Sequence, residues 1–277
     1  AGNGALDVPW NPDPRALVRA LLKLETTLVV GGDFTTIGGS NRTFVAALSV
    51  EGTGRATAFN ARTDAVVRSL AAADGVLYLG GDFNNSGGQG RRRLASVDAS
   101  TGDAVPSWNP DIGVRGQFRV RALSRSARSL YTGGQFTSAG GEFRTNVASI
   151  NPQTGVATRW NPPSSGAVNV VLHHGNVLLV GGEFLDMGSR RVPHLAAFAA
   201  VPSIPLGRMR IQPNGNVVLT VFDGDGSGSG LSLRARNTLN AGAWNTLVTT
   251  PITGDGQEFE DASSAGLPSR YYQAIAP

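Results

Sequence analysis

The chain has 277 residues, among them 37 Gly, 15 Pro and no Cys, with 40% hydrophobic and 16% charged side chains. These values exclude disulfides and thiolate chemistry and argue against disorder. The net charge of +4 is too mild to imply nucleic acid, and no apolar run is long enough to cross a membrane as a helix. The basic residues are arginine throughout except for Lys23, and the small residues from Ala1 read as the start of a processed chain or of a fragment.

The first segment, Asn3-Gly4-Ala5-Leu6-Asp7-Val8-Pro9-Trp10-Asn11-Pro12, matches a later one, Thr101-Gly102-Asp103-Ala104-Val105-Pro106-Ser107-Trp108-Asn109-Pro110. Between and beyond these, Gly-Gly-acid/amide-Phe occurs four times, at Gly31-Gly32-Asp33-Phe34, Gly80-Gly81-Asp82-Phe83, Gly133-Gly134-Gln135-Phe136 and Gly181-Gly182-Glu183-Phe184. A Val stands thirteen residues before each pair (Val18, Val67, Val120, Val168), followed by Arg19, Arg68, Arg121 and Asn169. Small apolar runs follow each pair, then a Thr-Gly turn and an aromatic-Asn pair: Phe59-Asn60, Trp108-Asn109 and Trp160-Asn161.

A period of about 50 residues means stacked units that bury a shared core. Each unit reads as four short strands, in the first unit Ala16–Leu22, Thr27–Phe34, Phe44–Val50 and Arg55–Asn60. Trp10, Phe34, Phe83, Trp108, Phe136, Trp160 and Phe184 are the large apolar anchors expected between neighbouring blades. The fourth unit stops after Phe198-Ala199-Ala200, and the N-terminal segment supplies its missing strand. The expected fold over residues 1–200 is therefore all-β: a four-bladed β-propeller closed by the N-terminal strand, which removes free sheet edges. A larger ring formed with another chain is the alternative.

After a linker at 201–206, strand candidates at Met209–Ile211, Val217–Phe222, Leu231–Ala235, Thr246–Thr249, Gln257–Glu260 and Tyr271–Ile275 read as a small β-sandwich over 207–277. The repeats resemble bacterial β-propeller repeats of the delta-sixty type, with a Gly-Gly-x-Phe core and a Trp-Asn-Pro end. The C-terminal part resembles the fibronectin-like module of secreted bacterial proteins, on Leu239, Trp244, Phe259-Glu260-Asp261 and Arg270-Tyr271-Tyr272. The resemblance implies a bacterial protein, secreted or at the cell surface, whose end module acts as a spacer, anchor or sorting region.

Motifs for catalysis are weak. Gly-Gly-Asp-Phe lacks the Glu and the α/β setting of nucleotide cyclases. Asp223–Ser229 has oxygens at calcium-loop spacing, but the twelfth position is Arg234. His173 and His174 point to opposite faces of an extended segment, and His194 brings no acidic partner. No metal, cofactor or catalytic residue is expected. Arg42, Arg92, Arg144 and Arg190 fall between the second and third strands of their units, where propeller loops share one face. They are the candidate site, a positive face for an acidic polysaccharide or cell-surface glycan. Arg19, Arg68 and Arg121 are expected to pair with Asp33, Asp82 and Gln135 or with carbonyls.

The expected function is a non-enzymatic extracellular or cell-surface structural or adhesive protein. Donation of the strand at residues 1–12 to a neighbour would build filaments. A lectin-like module for acidic glycans is the alternative, and a polysaccharide-active enzyme ranks third.

Overall fold

The computed structural model describes residues 9–113, 118–175, 177–199, 206–221, 230–236, 245–251, 257–265 and 271–275. Every regular element among them is a β-strand. The chain divides into two compact units, one made of Ala1–Ala157 with Asn161–Ala199 and the other of Thr158–Trp160 with Ala200–Pro277.

The first compact unit holds four antiparallel three-stranded sheets, one per repeat. They are β1 (Val18–Lys23), β2 (Thr27–Gly32) and β3 (Val45–Ser49); then β4 (Val67–Ala73), β5 (Val76–Gly81) and β6 (Leu94–Asp98). The third repeat has β7 (Arg119–Arg125), β8 (Leu130–Gln135) and β9 (Val147–Ile150), and the fourth has β10 (Val168–His174), β11 (Val177–Gly182) and β12 (Leu195–Ala199). The middle strand of each sheet carries the glycine pair. In the first three repeats the expected fourth strand is reduced to one bridge: Leu48 with Ala56, Val97 with Ala104, and Ile150 with Ala157. A two-residue ladder, unforeseen from the sequence, sits between the second and third strands of every repeat.

The glycine pair explains the geometry of the inner strands. In each sheet the register slips by one residue, at Val18/Ala20, Val67/Ser69, Val120/Ala122 and Val168/Val170. The extra residue of each bulge is therefore Arg19, Arg68, Arg121 or Asn169. The second glycine makes the bulge possible. A Cβ on Gly32 would lie 2.2 Å from the Leu17 carbonyl oxygen, and one on Gly81 2.0 Å from that of Val66. Those carbonyls accept the N–H groups of Asp33 and Asp82, each at 2.9 Å. The same chain path then turns the bulged arginine toward the acid that follows the glycines.

A second repeated feature had no sequence signal. Phe44, Arg93, Asn146 and His194 all have φ of 65°. Each accepts the N–H of the second glycine and donates to the carbonyl of the motif Phe, as in Gly81 N to Arg93 O at 2.9 Å and Arg93 N to Phe83 O at 2.8 Å. Two tertiary bonds hold a left-handed backbone that Asn146 and His194 adopt more readily than Phe44 and Arg93.

Phe83, Phe136 and Trp108 lie at seams between repeats, Phe34 packs within the first repeat and against Trp10, and Trp160 is half-buried and belongs to the second compact unit. Phe34, Phe83, Phe136, Phe184 and Trp108 are fully buried. Phe83 belongs to a cluster with Val29, Val45 and Ala47 of the first repeat, and Phe136 to one with Ala71, Tyr78 and Leu94 of the second. The aromatic-Asn segments hand over from one repeat to the next. Phe59 packs with Leu79 and Phe83, and Trp108 donates to the Asn151 carbonyl of the third repeat at 3.1 Å. Trp10 packs against the first repeat, with Phe34 and Ile37, and donates to Ser49 O at 3.1 Å. The described part of the N-terminal segment is thus held by the first repeat. Of the proposed completing strand at residues 1–12, residues 1–8 lie outside the described residues.

The second compact unit has two three-stranded antiparallel sheets built from six strands. In chain order these are β13 (Leu206–Ile211), β14 (Val217–Val221), β15 (Gly230–Arg236), β16 (Asn245–Pro251), β17 (Gln257–Asp261) and β18 (Tyr271–Ile275). One sheet runs β13-β14-β17 and the other β16-β15-β18. Val217 and Leu219 of the first sheet form a core with Phe259, Leu247 and Tyr272, so the two sheets share one apolar layer. The Asp223–Ser229 loop, Leu239, Trp244, Arg270 and most of the linker lie outside the described residues.

Candidate functional site

The four predicted loop arginines do not make a ring of free charge. Arg42 donates to the carbonyls of Phe59 (2.9 Å) and Thr57 (2.7 Å), so it clamps the last segment of its own repeat. Arg144 is buried and donates to Phe143 O at 2.8 Å. Arg92 forms a two-pronged ion pair with Asp111. Arg190 is exposed in the fourth repeat. The true repeat equivalent of Arg42 and Arg144 is Arg91, two residues before the positive-φ position. Its guanidinium reaches the Val105 and Pro106 carbonyls, each at 3.1 Å. The triple arginine hid this register in the sequence.

The bulged arginines come together instead. Arg19, Arg68 and Arg121 line one hollow of about 390 Å³ with Leu17 and Val18. Arg19 is bidentate to Asp33 (2.5 and 2.6 Å) and Arg68 to Asp82 (2.8 and 2.6 Å). The third pairing, Arg121 with Gln135, is replaced by another. Arg121 turns to the next repeat, where it meets Glu183 at 3.0 Å and Asn169. Three guanidiniums thus face three carboxylates. The cluster is neutral as a whole and is a poor trap for a polyanion.

The Arg19 hydrogen bonds hold the Asp33 carboxyl below the usual range, and those of Arg121 and Asn169 do the same for Glu183. A depressed folded-state pKa contributes stability above the unfolded value, near 4, and loses it as pH falls through the folded value. Urea midpoints are expected to stay level from neutral pH down to about 5 and to fall below about 4. Arg19→Ala should remove part of that acid-dependent fall. The pair is a quarter to a third exposed, so its loss at neutral pH should cost only about 0.5 kcal/mol after screening.

A second concavity, about 710 Å³, lies on the first repeat between the segment Asn11-Pro12-Asp13 and the Thr36–Asn41 hairpin, with Arg15 and Arg55 on its lining. Its size falls in the range of small-ligand sites. Asn11, Ser40, Asn41 and Thr53 supply polar groups there. Nothing in the sequence singled it out, because its residues come from three separate segments. Among the described residues no three His, Asp or Glu side chains cluster as a metal site. His173 instead stacks on Tyr131 with ring centroids 5.7 Å apart.

Residues 27–53 and 72–95 match the family described as "Domain of unknown function (DUF5122) beta-propeller". The chain carries β-propeller repeats. The matched stretches run from β2 into the turn after β3, and from the end of β4 into β6, so they cover the glycine pairs of the first two repeats. No curated protein matches the sequence. Among solved structures, the computationally designed Ika4 protein is 14% identical, with 67% of this chain and 92% of that chain covered and a TM-score of 0.45. The designed Ika8 protein is 11% identical, covering 78% and 86%, with a TM-score of 0.40.

Proposed function

We infer that the chain is a non-enzymatic structural or adhesive module of an extracellular or cell-surface protein. Its four repeats are the blades of a propeller and residues 207–277 form a fibronectin-like β-sandwich. The observation that carries this reading is the use made of the repeated arginines. Arg42 and Arg91 fasten the ends of their repeats, Arg92 is paired, and Arg19, Arg68 and Arg121 are matched by carboxylates. The charged positions of the repeat build blades and leave few groups for chemistry. The strand order of the second unit supports the fibronectin-like assignment. First, second and fifth strands form one sheet, fourth, third and sixth the other. Tyr272 on its last strand donates to Asp261 at 3.0 Å, a tie resembling the corner tyrosine of such sandwiches.

The concavity beside Arg15 and Arg55 favours a second reading, recognition of an acidic glycan by the first repeat. A glycan array holding neutral and uronate-containing oligosaccharides separates the two. Uronate-selective signals that drop at least tenfold in Arg15→Ala and Arg55→Ala support the lectin-like reading. An array without signals leaves the structural one.

A further inference from the structure

The repeats pack in series, β1 against β4, β4 against β7, and β7 against β10. At each of these three seams the valine that opens one repeat enters the space left by the first glycine of the repeat before. A Cβ on Gly31 would meet Val67 at 2.9 Å, one on Gly80 would meet Val120 at 2.6 Å, and one on Gly133 would meet Val168 at 2.4 Å. All three valines are 0% exposed.

The two ends of the series carry the halves of a fourth such seam. Val18 is 41% exposed, and Leu21, whose equivalents Leu123 and Val171 are buried, stands beside it in solvent. At the other end, a Cβ on Gly181 would have only His194 O and Val170 of its own repeat within 4 Å. Leu195 is 65% exposed, whereas its equivalents Val45, Leu94 and Val147 are at most 1% exposed beneath the following repeat. Leu179 is exposed too, although Val29 and Tyr78 at the same position are buried. Such a set of neighbouring apolar side chains needs an explanation, and the chain itself shows what fits it.

We propose that a second copy of this chain covers these faces head to tail, Val18 and Leu21 of each copy seating on Gly181, Leu179 and Leu195 of the other. The occupant is argued from the three internal seams, which are the same surface meeting the same surface. Charge agrees. Asp33 lies in the field of Arg68 across the first seam, and Glu183, with 64% of its side chain exposed, would meet Arg19 of the second copy in that way. A head-to-tail contact either closes or propagates. Two copies give twice four blades, within the span of about four to eight that propellers use, whereas three copies exceed it. The pair therefore closes as an eight-bladed ring with two identical new seams.

This inference rests on the propeller reading, and the test separates them. The full chain at micromolar concentration is measured by light scattering coupled to size exclusion and imaged by electron microscopy. The expected result is a particle of twice 28.7 kDa with eight blades in projection. Val18→Asp and Leu195→Asp, both surface changes within the single copy, should each give one-copy mass with unchanged circular dichroism. Mixing the two variants should restore two-copy mass, because that pair retains one native seam; a face-to-face dimer would not recover. A one-copy wild type overturns the proposal, whether the faces meet in a four-bladed disc or lie under the C-terminal unit. Filaments overturn the ring closure, and particles without blades overturn the propeller reading itself.

Discussion

Gly81→Ala is expected to destabilise the first compact unit by about 3 kcal/mol or more, through a single added methyl group. The new Cβ would lie 2.0 Å from the Val66 carbonyl oxygen, and the backbone on both sides is fixed. Val66 O accepts the Asp82 N–H at 2.9 Å, and Gly81 N–H donates to Arg93 O at 2.9 Å. Relief by moving either strand breaks one of these bonds and takes Asp82 away from Arg68. Gly80→Ala should be milder, about 1–3 kcal/mol, because the atom met at 2.6 Å is the Val120 methyl, part of a side chain. Gly90, which has open space at its Cβ position and no positive φ, is the control. Gly90→Ala should change stability by less than about 0.5 kcal/mol. Chemical denaturation of the three variants gives the ranking. An equal effect at Gly81 and Gly90 would mean that the bulge does not depend on the glycine.

This order of effects shows what the repeat pattern reveals and what it hides. The glycine pairs, the motif Phe and the opening Val were legible because they recur at one spacing, and the seams use all of them. The bulge was not legible, since it is a register slip between two strands and leaves Arg19, Arg68 and Arg121 looking like ordinary strand residues. The φ of 65° at Phe44, Arg93, Asn146 and His194 was hidden for a related reason. No residue type marks it, because backbone bonds to the glycine and the Phe impose it from outside. Run length misled in the case of Arg91-Arg92-Arg93, where three adjacent guanidiniums serve three purposes. Arg91 holds carbonyls, Arg92 pairs with Asp111, and Arg93 reaches back to Asp82 O and Phe83 O. The face of positive charge expected from these loops is put to several uses: Arg42 and Arg144 donate to carbonyls, Arg92 pairs with Asp111 at the surface, and Arg190 is exposed. Likewise, the fourth strand was expected at full length from Arg55–Asn60, but only Ala56 bridges to Leu48. The chain then leaves the sheet so that Phe59 can reach the next repeat.

That departure makes the aromatics that end the first two repeats, Phe59 and Trp108, links on which the series depends. Trp108 is 1% exposed. It donates to Asn151 O, lies edge-on to Tyr78 with centroids 5.4 Å apart, and packs with Ile112, Phe136 and Ile150. Tyr78 in turn donates to Pro152 O at 3.2 Å. One ring thus joins the sheet of the second repeat to that of the third. Trp108→Ala should cost about 3–5 kcal/mol. For a unit of this size that corresponds to a fall in Tm of roughly 10 °C. Trp108→Phe keeps the apolar contact and removes the indole N–H bond, so its cost should be nearer 1–2 kcal/mol, with Asn151 O deprived of that donor. Trp10→Ala should cost less than Trp108→Ala, because Trp10 is only half-buried. Amide exchange distinguishes a seam residue from an ordinary core residue. In Trp108→Ala the strands β4–β6 and β7–β9 should lose protection together, since the shared cluster opens on both sides. Loss confined to the second repeat would place Trp108 inside one blade and remove the seam from the account of how the repeats are joined.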